Sequence, residues 1–315
     1  MGFLRLRAFL PWLPVLSPSF ALFLLVSLWG KPLAFSSSLV LQESTVSVRY
    51  DEGQEAAAQE VVRLHGVAQA GLQKLIPWPI GFHTTYVLLT EGGLEQMAGT
   101  RRIVALAIPA QNLILLDLSK MARHTFVLET TMKHELCHLL LHSYIHGTLL
   151  PKWLDEGVCQ WASNGMAEII MEPKSSSLED AVLAGRLLPL ASLTSRFPAE
   201  DRLLSLAYEQ SESVVKYIER EYGTGKILAL LDALTQGRPL DDAVQQIFST
   251  SLAALEDGWR RSLATEHTWV TYFSIHIYET LFFVAALLAV IGCVKLIVRR
   301  KRRRLEEDEE REPSG

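Results

Sequence analysis

The chain is 315 residues long, 49% hydrophobic and 21% charged, with a mean hydropathy of +0.18. That composition excludes global disorder, and three cysteines exclude both a disulfide-dense scaffold and a cysteine-built zinc module. The net charge of −5 is unevenly spread: residues 39–272 hold 19 basic and 28 acidic groups, a balance that argues against nucleic acid as a partner.

Taken in chain order, Arg5 and Arg7 precede an apolar stretch that runs to Trp29 and is densest from Phe20. Pro11, Pro14 and Pro18 break its first half, which suits the short apolar core of a signal peptide better than a spanning helix. Residues 1–38 are therefore read as a signal peptide or an N-terminal anchor. Ser36–Ser38 offer small residues for cleavage, and no cysteine lies here to carry a lipid.

The body, residues 39–271, is long enough for one large domain with its own core. Val40–Tyr50 alternates in part and reads as a strand, Gly53–Ile76 as a long helix ending before Pro77, and His83–Leu89 as a second strand. Arg102–Ile108 and Leu113–Leu118 follow as a third and fourth strand. Helical patterns then occupy 126–144, 152–171, 177–187, 201–222, 224–236, 239–248 and 251–265, most of them separated by Gly or Pro. The expected class is α+β: a small N-terminal sheet with helices, then a helical C-terminal half.

The chemistry gathers in the first of those later helices. Residues 131–138 (TMKHELCH) contain His-Glu-x-x-His. Residues i and i+4 stand on one helix face, so the imidazoles of His134 and His138 can reach one ion. Glu135 neighbours them and can take a proton from a water bound to that ion. A third ligand is needed. His142 and His146 continue the i+4 series, but His134, His138 and His142 on one straight helix span about 12 Å at ~1.5 Å per residue and cannot converge on one ion. His142 is thus read as a surface or supporting histidine. Leu141 and Tyr144 occupy the positions where a metzincin would carry glycine and a third histidine. Glu156 lies 18 residues after His138, enough for one loop and an antiparallel return, and Asp155 is the competing carboxylate.

HELCH followed by PKWLDEGVCQWAS resembles the gluzincin metallopeptidases, most closely their compact peptidase MA-like group. The resemblance implies a zincin-like fold, one Zn2+ per chain held by His134, His138 and Glu156, and Glu135 as general base. It leaves Asp155 at the variable position of the Trp-Leu-x-Glu-Gly signature. Downstream, Ala207–Gly223 is similar to the tyrosine-bearing helix of these enzymes, which implies that Tyr208 donates to the oxyanion of the reaction, and Lys226–Leu263 is similar to their last helices. No Gly-Ala-Met-Glu-Asn segment is present, which disfavours the exopeptidase subgroup and leans the reading toward an endopeptidase. Two further readings stay open on the residues alone. Leu113–Leu118 is either an edge strand that pairs with extended substrate or an ordinary core strand. Cys137 and Cys159 are either paired or two buried thiols.

The chain ends in its strongest apolar run, Tyr278–Val298, whose 21 residues match the ~20 needed to cross ~30 Å of hydrocarbon. Cys293 falls inside it. Six consecutive cations, residues 299–304, follow at once and mark that side as cytoplasmic. The sequence therefore divides into residues 1–38, an extracytoplasmic domain at 39–271, a transmembrane segment at 272–298 and a charged cytoplasmic tail at 299–315. Asn112 and Asn164 open no Asn-x-Ser/Thr site, which leans toward a bacterial envelope protein. The expected function is a membrane-anchored zinc peptidase with peptide or protein substrates, the lipid bilayer as its other partner and no nucleic acid. The rival is a tethered binding module that keeps the fold without catalysis.

Overall fold

Val46 and Val48 are buried while Ser47 and Arg49 face outward, and this period of two builds strand β2 (Val46–Tyr50). Leu39–Gln42, β1, pairs antiparallel with it. The single strand expected over Val40–Tyr50 is thus a hairpin. The polar run Glu43-Ser44-Thr45 forms its turn, with Glu43 N donating to Val46 O at 2.8 Å. The computed structural model describes residues 39–89, 94–95, 103–123, 128–147, 149–165, 177–266 and 276–309, so the N-terminal segment at 1–38 lies outside the described residues.

Helix α1 (Glu55–Gln73) buries Ala58, Val61, Leu64, His65, Ala68 and Leu72, an i, i+3/i+4 stripe that packs under the sheet. It ends short of the expected Ile76 in a turn, where Leu75 N and Ile76 N both return to Leu72 O. His65 enters the core against Tyr86, with Nδ1 and Oη 3.2 Å apart. Burial and the nearby charge of His83 push its pKa down to about 4, so it sits there as neutral imidazole.

With strands β3 (Thr84–Leu89), β4 (Ala105–Ile108) and β5 (Leu113–Asp117), the described residues form a five-stranded sheet in the order β1-β2-β3-β5-β4. The inner strands β2, β3 and β5 are parallel, and β1 and β4 run antiparallel at the edges. This decides the reading of Leu113–Leu118. It is an interior strand, and the edge nearest the next helices is Ala105–Ile108. The cause is local: a 3₁₀ turn at Pro109–Gln111 and Asn112 in left-handed backbone (φ 48°) fold β4 back on β5 as a hairpin, pairing Ile108 with Leu113. Asp117 then caps a short helix α2 (Leu118–Arg123), Oδ1 accepting from Ser119 Oγ at 2.6 Å and Lys120 N at 3.0 Å.

Helix α3 (Leu128–Tyr144) is buried almost continuously from Thr131 to Leu141, because α1, the sheet and the next helix pack around it. Helix α4 (Lys152–Ser163) is buried from Trp153 to Ser163. It stops well before the expected residue 171. Asn164 takes left-handed backbone (φ 67°), and Gly165 N caps the last turn on Gln160 O at 3.0 Å. Helices α5 (Ser177–Leu183), α6 (Asp201–Tyr222), α7 (Thr224–Thr235), α8 (Leu240–Phe248) and α9 (Leu252–Glu266) form the helical half. Trp259 is fully buried in it, and its Nε1 donates to Ser213 Oγ at 3.0 Å. The architecture is α+β with a zincin-like division into a small sheet and a helical remainder. Helix α10 (Ile277–Glu309) contains Ile277–Lys301, 25 residues of mean hydropathy 2.8 with none of the apolar window buried, long and apolar enough to cross a membrane.

Candidate active site

His134 and His138 stand one turn apart on α3 and turn their rings toward each other, Nε2 to Nε2 at 3.1 Å. Helix α4 returns along α3 and brings Glu156 to the same point, its Oε2 3.5 Å from each of those nitrogens. The three ligand atoms lie within 4.8 Å of one another, and all three residues are buried. Two imidazole nitrogens converge on a buried carboxylate oxygen that lies outside good hydrogen-bond geometry, and at most one proton can sit between the two rings. A cation between them engages all three atoms, and two nitrogens with one carboxylate oxygen is the donor set of a catalytic zinc site. The residues present therefore fit a metal ion.

The surroundings are arranged around this cluster. Glu156 Oε1 pairs with Lys152, one turn earlier on α4. Burial opposes the ionisation of Glu156. The Lys152 charge and the contacts of His138 and His134 outweigh it, holding its carboxyl well below the usual carboxylate range. Asp155 does not join the ligand atoms. Its Oδ1 accepts from His138 Nδ1 at 2.7 Å, on the side of the ring away from the cluster, and its Oδ2 accepts from His142 Nε2 at 3.0 Å. Burial works against that carboxylate too, and the His138 charge with the two histidine contacts holds it ionised. For His138, burial favours the neutral ring. Asp155 and Glu156 outweigh it and raise the pKa well above the ordinary histidine value. The pocket thus attracts positive charge, from a proton or from a metal.

Cys137 and Cys159 form a disulfide, with Cα atoms 5.4 Å apart. It ties α3 to α4 beside His138 and one turn beyond Glu156. Cys159 also lies near His138 and Asp155, but its sulfur is committed to Cys137 and Asp155 to the two histidines, so that grouping is no second metal site. Cys293 is the free cysteine, exposed on α10.

Glu135 is fully buried on α3. Tyr208 lies on α6 at 5% exposure, its ring edge-on to Phe197 at 5.0 Å, and its carbonyl accepts from Gln160 Nε2 of α4 at 3.2 Å. Tyr208 therefore belongs to the helix that backs the Glu156 helix. The approach of those two helices depends on Gly157. A Cβ there would collide with Ser211 O and would sit 2.8 Å from both Ser211 C and Val215 Cγ2.

The Peptidase MA superfamily description matches residues 56–265, a span that holds every residue of this cluster. The chain belongs to the Peptidase MA superfamily. Among solved structures, the M1 zinc metallopeptidase from Deinococcus radiodurans is similar over 73% of this chain and 52% of its own, at 17% identity and a TM-score of 0.39. A point mutant of that enzyme gives 16% identity and a TM-score of 0.40 over the same shares. The mutant bound to the substrate Tyr-Ser-Ala gives 16% and 0.35, over 72% of this chain and 50% of that one. The chain spans about half the length of these structures. No curated protein matches it.

In this member of the superfamily, three supporting contacts escape a reading of the sequence. Lys152 carries a helical signal, four residues before Glu156, that could have exposed its pairing. Gly157 stands in the Glu-Gly signature, but the backbone of α6 that requires it is 54 positions away in the chain. The contact between His142 and Asp155 joins two helices, and spacing along either one carries no sign of it.

Proposed function

We propose that the chain is a membrane-anchored zinc peptidase acting on peptide or protein substrates, with one zinc per chain on His134, His138 and Glu156. The observation that carries this reading is the convergence of those three buried donors within 4.8 Å. A zinc ion held there supplies a Lewis acid that acidifies a water and polarises a peptide carbonyl. Glu135 takes the proton of the attacking water and passes it to the departing amine. Tyr208 donates a hydrogen bond to the carbonyl oxygen as negative charge develops on it. Strand β4, an edge of the sheet among the described residues, lies beside the cluster helix and offers a place for an extended peptide to pair, in keeping with an endopeptidase. The purified chain should cleave members of a peptide library, lose that activity to a chelator and regain it with zinc. Cleavage that survives complete zinc removal would refute the reading.

We further propose that residues 39–271 form the catalytic domain outside the cytoplasm, that residues 272–298 span the membrane and that residues 299–315 lie inside, in a bacterial envelope, with residues 1–38 directing export. The apolar helix ending in six cations supports this orientation. A tag after Gly315 should stay shielded from external protease while one beside Asp51 is removed. The opposite pattern would overturn the topology.

A further inference from the structure

Asp155 divides its two oxygens between two histidines of one helix: Oδ1 to His138 Nδ1 at 2.7 Å and Oδ2 to His142 Nε2 at 3.0 Å. His138 and His142 are one turn apart on α3, so both reach across to α4 at neighbouring heights. We propose that His142 is a positioning residue for the metal site: by holding Asp155 Oδ2 it fixes the carboxylate that orients His138. The inference rests on the zinc reading above.

The argument starts from the torsional freedom of a carboxylate. The last torsion of an aspartate is broad and roughly two-fold, so one hydrogen bond leaves the group able to swing. A second donor on the same rigid helix sets the plane. With the plane set, Oδ1 faces His138 Nδ1, which keeps the proton on Nδ1 and leaves the Nε2 lone pair toward Glu156 and His134. The backbones on either side are already fixed, by the Cys137–Cys159 disulfide and by the close approach at Gly157. The freedom that remains to be removed is therefore that of the side chain. His142 needs only an Nε2–H for this task, which a neutral ring supplies. It cannot serve as a ligand itself, because its Nε2 is committed to Asp155 on the side of His138 away from the cluster. The competing explanation is a purely structural pair, partly exposed at His142 and buried at Asp155. The His142 side chain is 34% exposed and that of Asp155 6%. Such a pair would add a hydrogen bond to a buried carboxylate and would leave the metal untouched.

The two explanations separate on metal affinity. With the full chain in detergent, zinc affinity is measured by competition with a chromophoric chelator, and the unfolding midpoint is measured on the metal-free protein. His142→Ala should weaken zinc binding by roughly 10–100-fold, the range found for partners of metal-bound histidines, while the metal-free protein stays folded with a modestly lower midpoint. His142→Gln, which restores an amide donor at similar reach, should recover most of that affinity. Asp155→Ala should weaken zinc as much as His142→Ala or more, and the double variant should be no weaker than Asp155→Ala, since both residues act through one contact. His142→Leu replaces His142→Ala in the comparison if the smaller side chain does not fold. Zinc affinity of His142→Ala within about threefold of the unaltered chain, a Gln variant no better than Ala, or additive losses in the double variant would each overturn the proposal. An unaltered chain that binds no zinc would instead refute the zinc reading, and this inference with it.

Discussion

Glu135→Gln should slow peptide cleavage by roughly 10²–10⁴-fold while leaving zinc bound and the fold intact, because the amide cannot accept the proton of the attacking water. Glu135 lies outside the three-donor cluster, and the amide is nearly the same shape as the carboxylate, so its replacement leaves the ligand set intact while removing the base. Tyr208→Phe should also keep metal and fold, with a loss of up to about 10²–10³-fold if its hydroxyl stabilises the oxyanion. Both are read from single-turnover rates beside zinc content. Unchanged cleavage in Glu135→Gln would remove the proposed mechanism. Zinc-loaded protein that binds peptides and cleaves none, in the unaltered chain as in the variants, would favour a tethered binding module.

Gly157→Ala should destabilise the domain by about 3 kcal/mol or more, at or beyond the upper end of ordinary overpacking, because the new methyl meets backbone and not a flexible side-chain tip. The chain can relieve the clash only by moving α4 away from α6. That shift also displaces Glu156, so zinc affinity should fall together with stability. Gly66, exposed on α1, serves as the control, since a Cβ added there would meet no atom within 4 Å. Replacement of Gly66 by Ala should be neutral or should stabilise by up to about 1 kcal/mol through helix propensity. Denaturant unfolding of both variants reads the contrast, and similar values would show that the α4–α6 contact is less tight than described.

The helices are legible in the sequence where their periodicity is long. The pattern over 201–222 coincides with α6 (Asp201–Tyr222), since its apolar stripe is continuous and Gly223 ends it. The shorter elements depart from expectation where one or two turn residues decide the outcome. Asn164 in left-handed backbone cuts α4 at Ser163, and a run that stays helix-compatible in composition gives no warning of it. The hairpin within Val40–Tyr50 is hidden because Glu43-Ser44-Thr45 carries neither Gly nor Pro. For the site, the convergence of His134, His138 and Glu156 is legible because i, i+4 spacing on a helix is itself a geometry, and the signature around Glu156 supplies the return. The supporting contacts, His142 with Asp155 and Gly157 with Ser211, exist only between helices. No one-dimensional spacing encodes them, and the pairing of Cys137 with Cys159 is open in the sequence for the same reason.

Metal analysis of the purified full chain tests the central claim most directly. The account predicts about one zinc per chain in the unaltered protein and little or none in Glu156→Ala, because two histidines alone do not make a catalytic zinc site. A folded, unaltered chain that takes up no zinc, or a Glu156→Ala variant that holds it as tightly, would contradict the account.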